Sequence, residues 1–188
     1  MDALMAALVA AGFAQVGDRP AWLASILADR YRAPGLVIAA AAVALLGAGL
    51  LAAAAGALLA PRLTPEARQL FLALALLFQG GGALFPVKPP DRHAGWRLGA
   101  ALTSLIGLFI LAFGDGVQFI VLALAARAQL PWLAAIGAML GSLAVIAPAA
   151  ILGEAGWTGL PLVTLRRIIG VLFVLAAIGL GLSALRLI

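Results

Sequence analysis

Cysteine is absent from the 188 residues, and histidine occurs once, at His93. Disulfides and thiolate metal sites are thereby excluded, as are His-rich metal centres and Ser/His or Cys/His catalytic arrangements. An enzyme is therefore not expected, and no resident cofactor is implied. Charge is scarce too: Asp, Glu, Lys and Arg make up 10% of the chain, against about 25% in ordinary soluble domains. No basic stretch precedes the first apolar run, which follows Met1-Asp2 directly. The first segment is accordingly expected to span a membrane rather than to be cleaved as a signal peptide.

What is present is apolar. Hydrophobic residues make up 65% of the chain, and mean hydropathy is +1.19. Ala, Leu and Gly dominate, and small residues let membrane helices approach closely. A spanning helix needs about 20 apolar residues, and polar or Pro/Gly punctuation divides this chain into six such segments. They run over Ala3–Ala28, Gly35–Ala60, Ala67–Phe85, Trp96–Ala126, Pro131–Leu152 and Pro161–Leu187. The expected fold is an all-α integral membrane protein of six transmembrane helices, with no soluble domain. The sequence pI of about 11.4 does not point to nucleic acid, because the basic residues sit at segment ends and in short loops, as the positive-inside bias places them. The expected surroundings are a lipid bilayer, in a bacterial inner membrane, and a homodimer is compatible with the architecture.

The segments repeat. Laying Asp18 on Asp115 without a gap also pairs Gly17 with Gly114, Arg30 with Arg127 and Pro34 with Pro131. A two-residue shift, as a loop insertion gives, pairs Arg68 with Arg167, Gly80 with Gly179 and Gly82 with Gly181. Three spans per half is an odd number, so the second half must enter the membrane from the opposite side. The expectation is two inverted three-helix repeats, residues 1–85 and 96–188, joined by a central cytoplasmic loop, 86–95. One side collects Arg30, Arg32, Lys88, Arg92, Arg97, Arg166 and Arg167, and the other Arg62, Arg68, Arg127 and Arg186. The heavier side is expected to be cytoplasmic, with both termini outside.

The two Gly-Asp pairs carry the chemistry. A carboxylate at the centre of a spanning helix costs roughly 2.5–3.5 kcal/mol on insertion scales, so two in matching contexts are a functional signal. In Gln15-Val16-Gly17-Asp18-Arg19-Pro20, Pro20 lacks an N–H and disfavours α geometry at Arg19, while Gly17 adds backbone freedom. The helix is expected to bend or unwind there, and Gly114-Asp115-Gly116 to loosen the fourth span similarly. Broken helices at matching positions point to a transporter's binding site. Carboxylates, amide oxygens and freed carbonyls are hard ligands, suited to Ca²⁺, Mg²⁺ or Mn²⁺. Asp18 paired with Arg19 near the interface is the structural alternative, but it leaves Asp115 unexplained.

Gly-Asp followed by a basic residue, in the first span of a three-plus-three membrane protein, resembles the Gdt-type cation/proton exchangers of the lysine-exporter superfamily. That family carries Glu-x-Gly-Asp-Lys-Ser/Thr once in each half, and includes the Golgi manganese/calcium transporter and bacterial manganese exporters. Here Gln15 stands for the family's Glu, Arg19 for its Lys and Pro20 for its Ser or Thr. In the second half Ala112, Gly116 and Val117 take those three places, and Gln118 falls where many members carry Gln. The resemblance implies that Asp18 and Asp115 bind a divalent cation, Mn²⁺ or Ca²⁺, between the halves in exchange for protons. Gln15 and Gln118 are candidate further ligands, with Gly17, Gly114, Arg19 and Pro20 modulating the site. Arg19 turned inward onto Asp18 would leave about one net negative charge.

Other residues keep two readings. Gln15 and Gln79 serve as interhelical hydrogen-bond partners or as ligands. Gly80-Gly81-Gly82 provides close packing or a kink, and His93 is expected to be solvated in the central loop. Trp96, Trp132 and Trp157 fall at span ends, where indoles favour the interface. Trp22 and its repeat partner Phe119 either pack or gate the site. Arg166-Arg167 is expected to anchor the sixth span on anionic headgroups. The function expected is a secondary transporter exchanging a divalent cation for protons. The alternatives are a non-transporting structural or regulatory relative, whose centre would be dry and filled with ion pairs, and an exporter of small solutes, which needs a larger cavity.

Overall fold

The computed structural model describes residues 2–92 and 96–187, so the expectation for His93 lies outside the described residues. The described residues are helical, with short connections. The first expected span is two helices, α1 (Asp2–Ala14) and α2 (Arg19–Tyr31), parted at Gln15–Asp18. Gly17 has φ +71°, a left-handed conformation that glycine adopts without a Cβ penalty. Asp18 then caps α2, its Oδ1 accepting the Arg19 N–H at 2.8 Å. Pro20 falls in the first turn, where its missing N–H has no partner to lose. The proline therefore starts the second helix rather than kinking a continuous one.

Helix α3 (Pro34–Leu59) likewise opens on proline and runs into a 3-10 turn at Ala60–Arg62. Arg68 holds that turn, donating to the Ala60 and Leu63 carbonyls at 2.6 and 3.2 Å. Thr64 caps α4 (Pro65–Leu84) through the Ala67 N–H. The fourth expected span is α5 (Gly99–Phe113) and α6 (Gly116–Ala125), bent by 67° at Gly114-Asp115. This break uses no proline. Helix α7 (Trp132–Thr158) is interrupted at Gly153, φ +71°, and α8 (Leu162–Ala184) completes the chain. By length and composition α3, α4, α7 and α8 can cross a membrane, giving four spans, or five if the bent α5–α6 pair crosses as one; α1 is shorter than a span, so the six expected spans are not all found as such.

Packing relates the helices in pairs. The long helices α3 and α7 lie together, α1 and α2 both pack on α7, and α5 and α6 both pack on α3. Helices α4 and α8 pack on each other, and α6 also contacts α4. The interior is built largely of alanine, while large apolar residues such as Val43, Leu58, Phe78, Ile151 and Val163 face outward. That inside-out distribution suits a bilayer, where the surrounding hydrocarbon accepts Leu and Val and close backbone packing holds helices together. At the α4–α8 crossing, a methyl group on Gly80 would stand 2.7 Å from the Gly170 carbonyl oxygen. The close-packing reading thus holds for Gly80, whereas Gly81 and Gly82 have open space.

The core falls into two clusters. One joins α1, α6, the start of α7, α4 and α8 around Ala11, Val121, Ala135 and Leu76. The other joins α2, α3, α5 and the later part of α7 around Leu23, Ala44, Leu108 and Ile146. The two helix breaks lie at the seam between them.

Candidate functional site

Each break ends on an aspartate at the N-cap of the following helix: Asp18 for α2 and Asp115 for α6. The positive ends of both helix dipoles therefore point at carboxyl groups, an arrangement that favours negative charge. The two aspartates, 97 positions apart in the sequence, are brought to the wall of one cavity. The cavity, of about 540 Å³, runs past Gln79, Gly114 and Phe119 toward Pro86 and Val87. Arg19 and Pro20 also line it.

Each carboxylate has its own partner. Gln15, fully buried in the first break, donates from Nε2 to Asp115 Oδ2 at 3.0 Å. Asp18 Oδ1 stands 3.9 Å from Nη2 of Arg166, near the start of α8. The Arg166 guanidinium is itself held by the Phe85 carbonyl at 2.6 Å, which ties α8 to the end of α4. The inward-turned Arg19 pairing is not found: Arg19 is exposed, and only its backbone N–H meets Asp18. Arg166 provides the compensating charge instead, its guanidinium lying between Asp18 and the Phe85 carbonyl. With both aspartates ionised, Arg166 offsets one of them, and the exposed Arg19 at the cavity wall brings the formal charge of the lining to zero.

Gln15 and Gln118 do not line the cavity. Both side chains are buried, and their Oε1 atoms have no hydrogen-bond partner. Gln79 does line it, its amide so close to Gly116 that any Cβ there would overlap the Gln79 oxygen. Gly17 and Trp22 face a different, smaller cavity, so only Phe119 of the expected gating pair borders the aspartates. Trp157 is 5% exposed and packs in the protein interior, whereas Trp132 is exposed. Among the described residues no group of three or more His, Asp or Glu side chains gathers as a metal cluster. The ligand set available for a cation is therefore two carboxylates with amide and backbone oxygens.

Sequence reasoning missed Arg166 as the partner of Asp18. The signal was available: Arg166 lies five residues inside the sixth apolar segment, and an ionisable residue within a span is a functional candidate by default. Gln79 was singled out, but nothing in the sequence placed it against Gly116.

A family model described as "Divalent cation/proton antiporter GDT1" matches this chain over residues 3–90 and 100–186. The chain belongs to the GDT1 family. A curated relative from Vibrio cholerae serotype O1, named "Putative manganese exporter", is 30% identical over 180 residues, covering 95% of this chain and 90% of its own length. No solved structure matches. Within this GDT1-family protein each matched segment contains one Gly-Asp pair, and each pair lies at a helix break.

Proposed function

We propose that this integral membrane protein is a secondary transporter that exchanges a divalent cation, Mn²⁺ or Ca²⁺, for protons. The observation that carries the reading is the convergence of Asp18 and Asp115, each from a helix break, on one cavity. The cation binds between the two carboxylates, with the Gln79 amide beside it. Gln15 positions Asp115, and Gln118 lies buried in the first turn of α6. When the cation leaves, protons taken up by the aspartates offset the charge it leaves behind, so the two fluxes are coupled in a medium that tolerates net charge poorly. The relative's name favours Mn²⁺ as the ion to test first.

The architecture that goes with this reading is six spans in two inverted repeats, 1–85 and 96–188, joined by the cytoplasmic segment 86–95. Two features support it: the family match falls in two segments, and the contacts of α1 and α2 with α7 correspond to those of α5 and α6 with α3. Both termini lie outside a bacterial inner membrane. With Arg166 set aside as the partner of Asp18, the positive-inside comparison stands at six basic residues against four, which keeps the same orientation.

The non-transporting alternative draws on two observations, the Asp18–Arg166 ion pair and the Gln15–Asp115 hydrogen bond. A cavity bordered by both aspartates opposes it. Proteoliposomes carrying a pH gradient decide between them. Mn²⁺ flux that follows the gradient and is lost in Asp18→Asn and Asp115→Asn is the expected result. No flux of Mn²⁺ or Ca²⁺ through folded protein overturns the exchanger.

A further inference from the structure

Behind Asp18 lies a second cavity, of about 230 Å³, between the end of α4, the end of α7 and the start of α8. We propose that it binds an anionic phospholipid, whose phosphate takes hydrogen bonds from Arg166, Arg167 and the indole N–H groups of Trp22 and Trp157.

The lining is built for an acceptor. Both indole Nε1 atoms are buried without a hydrogen-bond partner, and Trp157 is 5% exposed. A buried tryptophan N–H ordinarily finds an acceptor, and it can do nothing but donate. Two residues of one cavity wall thus carry orphan donors just beneath its surface, which an oxygen-rich group in the cavity would draw out. Arg166 and Arg167 border the same space, and no Asp or Glu does. The wall therefore repels cations and attracts an anion, through the guanidinium geometry that suits phosphate.

The remainder of the wall is apolar and continuous with the lipid-facing surface: Phe85 is 71% exposed and Val163 60%. A free inorganic anion would leave this surface unused. A phospholipid uses both parts, its phosphate on the donors and its chains along α8. Arginine clusters beside membrane-embedded helices recognise lipid headgroups in this way.

The site also has a route to the aspartates. Arg166 borders both cavities and stands 3.9 Å from Asp18. A phosphate on the other side of that guanidinium draws its charge away from Asp18 and leaves the carboxylate freer for a cation. This coupling, unlike the binding itself, rests on the exchanger reading above.

Tryptophan fluorescence tests binding without any transport assay. In Trp96→Phe/Trp132→Phe protein the remaining indoles are Trp22 and Trp157. Reconstituted in phosphatidylcholine vesicles, this protein is titrated with brominated phosphatidylglycerol or brominated phosphatidylcholine. The expected result is quenching by the anionic lipid at severalfold lower mole fraction, with the preference lost in Arg167→Gln and weakened in Trp157→Phe. Equal quenching by the two lipids overturns the site. Reversal of quenching by inorganic phosphate overturns the lipid assignment in favour of a free anion. The coupling predicts a severalfold lower apparent KM for Mn²⁺ in phosphatidylglycerol vesicles, abolished by Arg166→Gln. An effect that persists in that variant is surface potential alone and overturns the coupling. Absence of all flux, beside intact lipid preference, counts against the exchanger and not against the lipid site.

Discussion

Gln15 and Asp115 lie 100 residues apart and are joined by a 3.0 Å hydrogen bond across the seam between the two helix breaks. The donor comes from the first Gly-Asp segment and the acceptor from the second, so the bond ties the two breaks together. Gln15 stands where the resembled motif has glutamate, and its partner is the one aspartate of the two that lacks a basic neighbour in sequence.

Removing that donor should weaken the site. A hydrogen bond to a charged group contributes about 1.5–3 kcal/mol, so Gln15→Leu is expected to lower Mn²⁺ transport efficiency by about tenfold or more, 1.4 kcal/mol being one decade. Gln15→Glu adds a third carboxylate and should lower the apparent KM for Mn²⁺. Proteoliposome flux against Mn²⁺ concentration measures both, and an unchanged KM in the glutamate variant would count against a cation site at this seam.

Arg166 should hold cation affinity down. Arg166→Gln removes the positive charge beside Asp18 and is expected to tighten Mn²⁺ binding severalfold in calorimetric titration of purified protein. The same change weakens the tie to the Phe85 carbonyl, so a lower melting temperature should accompany the tighter binding. Arg19→Gln, which alters an exposed side chain, should leave binding closer to the parent's.

The three consecutive glycines of α4 should behave differently. Gly80→Ala drives a methyl group against the Gly170 backbone and should cost about 1–3 kcal/mol, as overpacking does. Gly81→Ala meets open space and should be neutral or stabilising by up to about 1 kcal/mol from helix propensity. Thermal unfolding in detergent, read by fluorescence, separates the two.

Gly153 is expected to resist substitution most strongly at the end of α7. Its φ of +71° penalises any side chain, and a Cβ there would also overlap Asp29 Oδ1. Asp29 accepts the Glu154 N–H at 2.7 Å, fastening the end of α2 to the interruption in α7. Gly153→Ala should therefore lower the melting temperature by more than Asp29→Ala does. Comparable losses would mean that the backbone conformation costs little and that the clasp is the whole effect.

The membrane class and the helix breaks were legible because each follows from local chemistry. Hydropathy sets the spans, and Gly17-Asp18 with Pro20 sets the first break. The second break was legible through the repeat, since Gly114-Asp115-Gly116 has no proline to announce it. The convergence of the two aspartates was suggested by that same repeat. What escaped was which side chain meets which across helices. Arg19 was adjacent in sequence and charged, yet Asp18 meets only its backbone N–H, and the ion pair is made by Arg166, which α8 delivers from 148 residues away. The burial of Trp157 was likewise illegible, because it depends on packing with α2 and α3 in the second core cluster rather than on its place near a segment end.

The Gln79 amide occupies the space where a side chain at position 116 would begin. The resembled family motif carries lysine there. The obstructing group is the far end of a flexible side chain on a cavity wall, so a residue placed at 116 displaces the amide instead of meeting fixed backbone. Restoring lysine would therefore exchange a neutral oxygen donor for a positive charge beside both aspartates, and the cost would fall on the cation rather than on the fold.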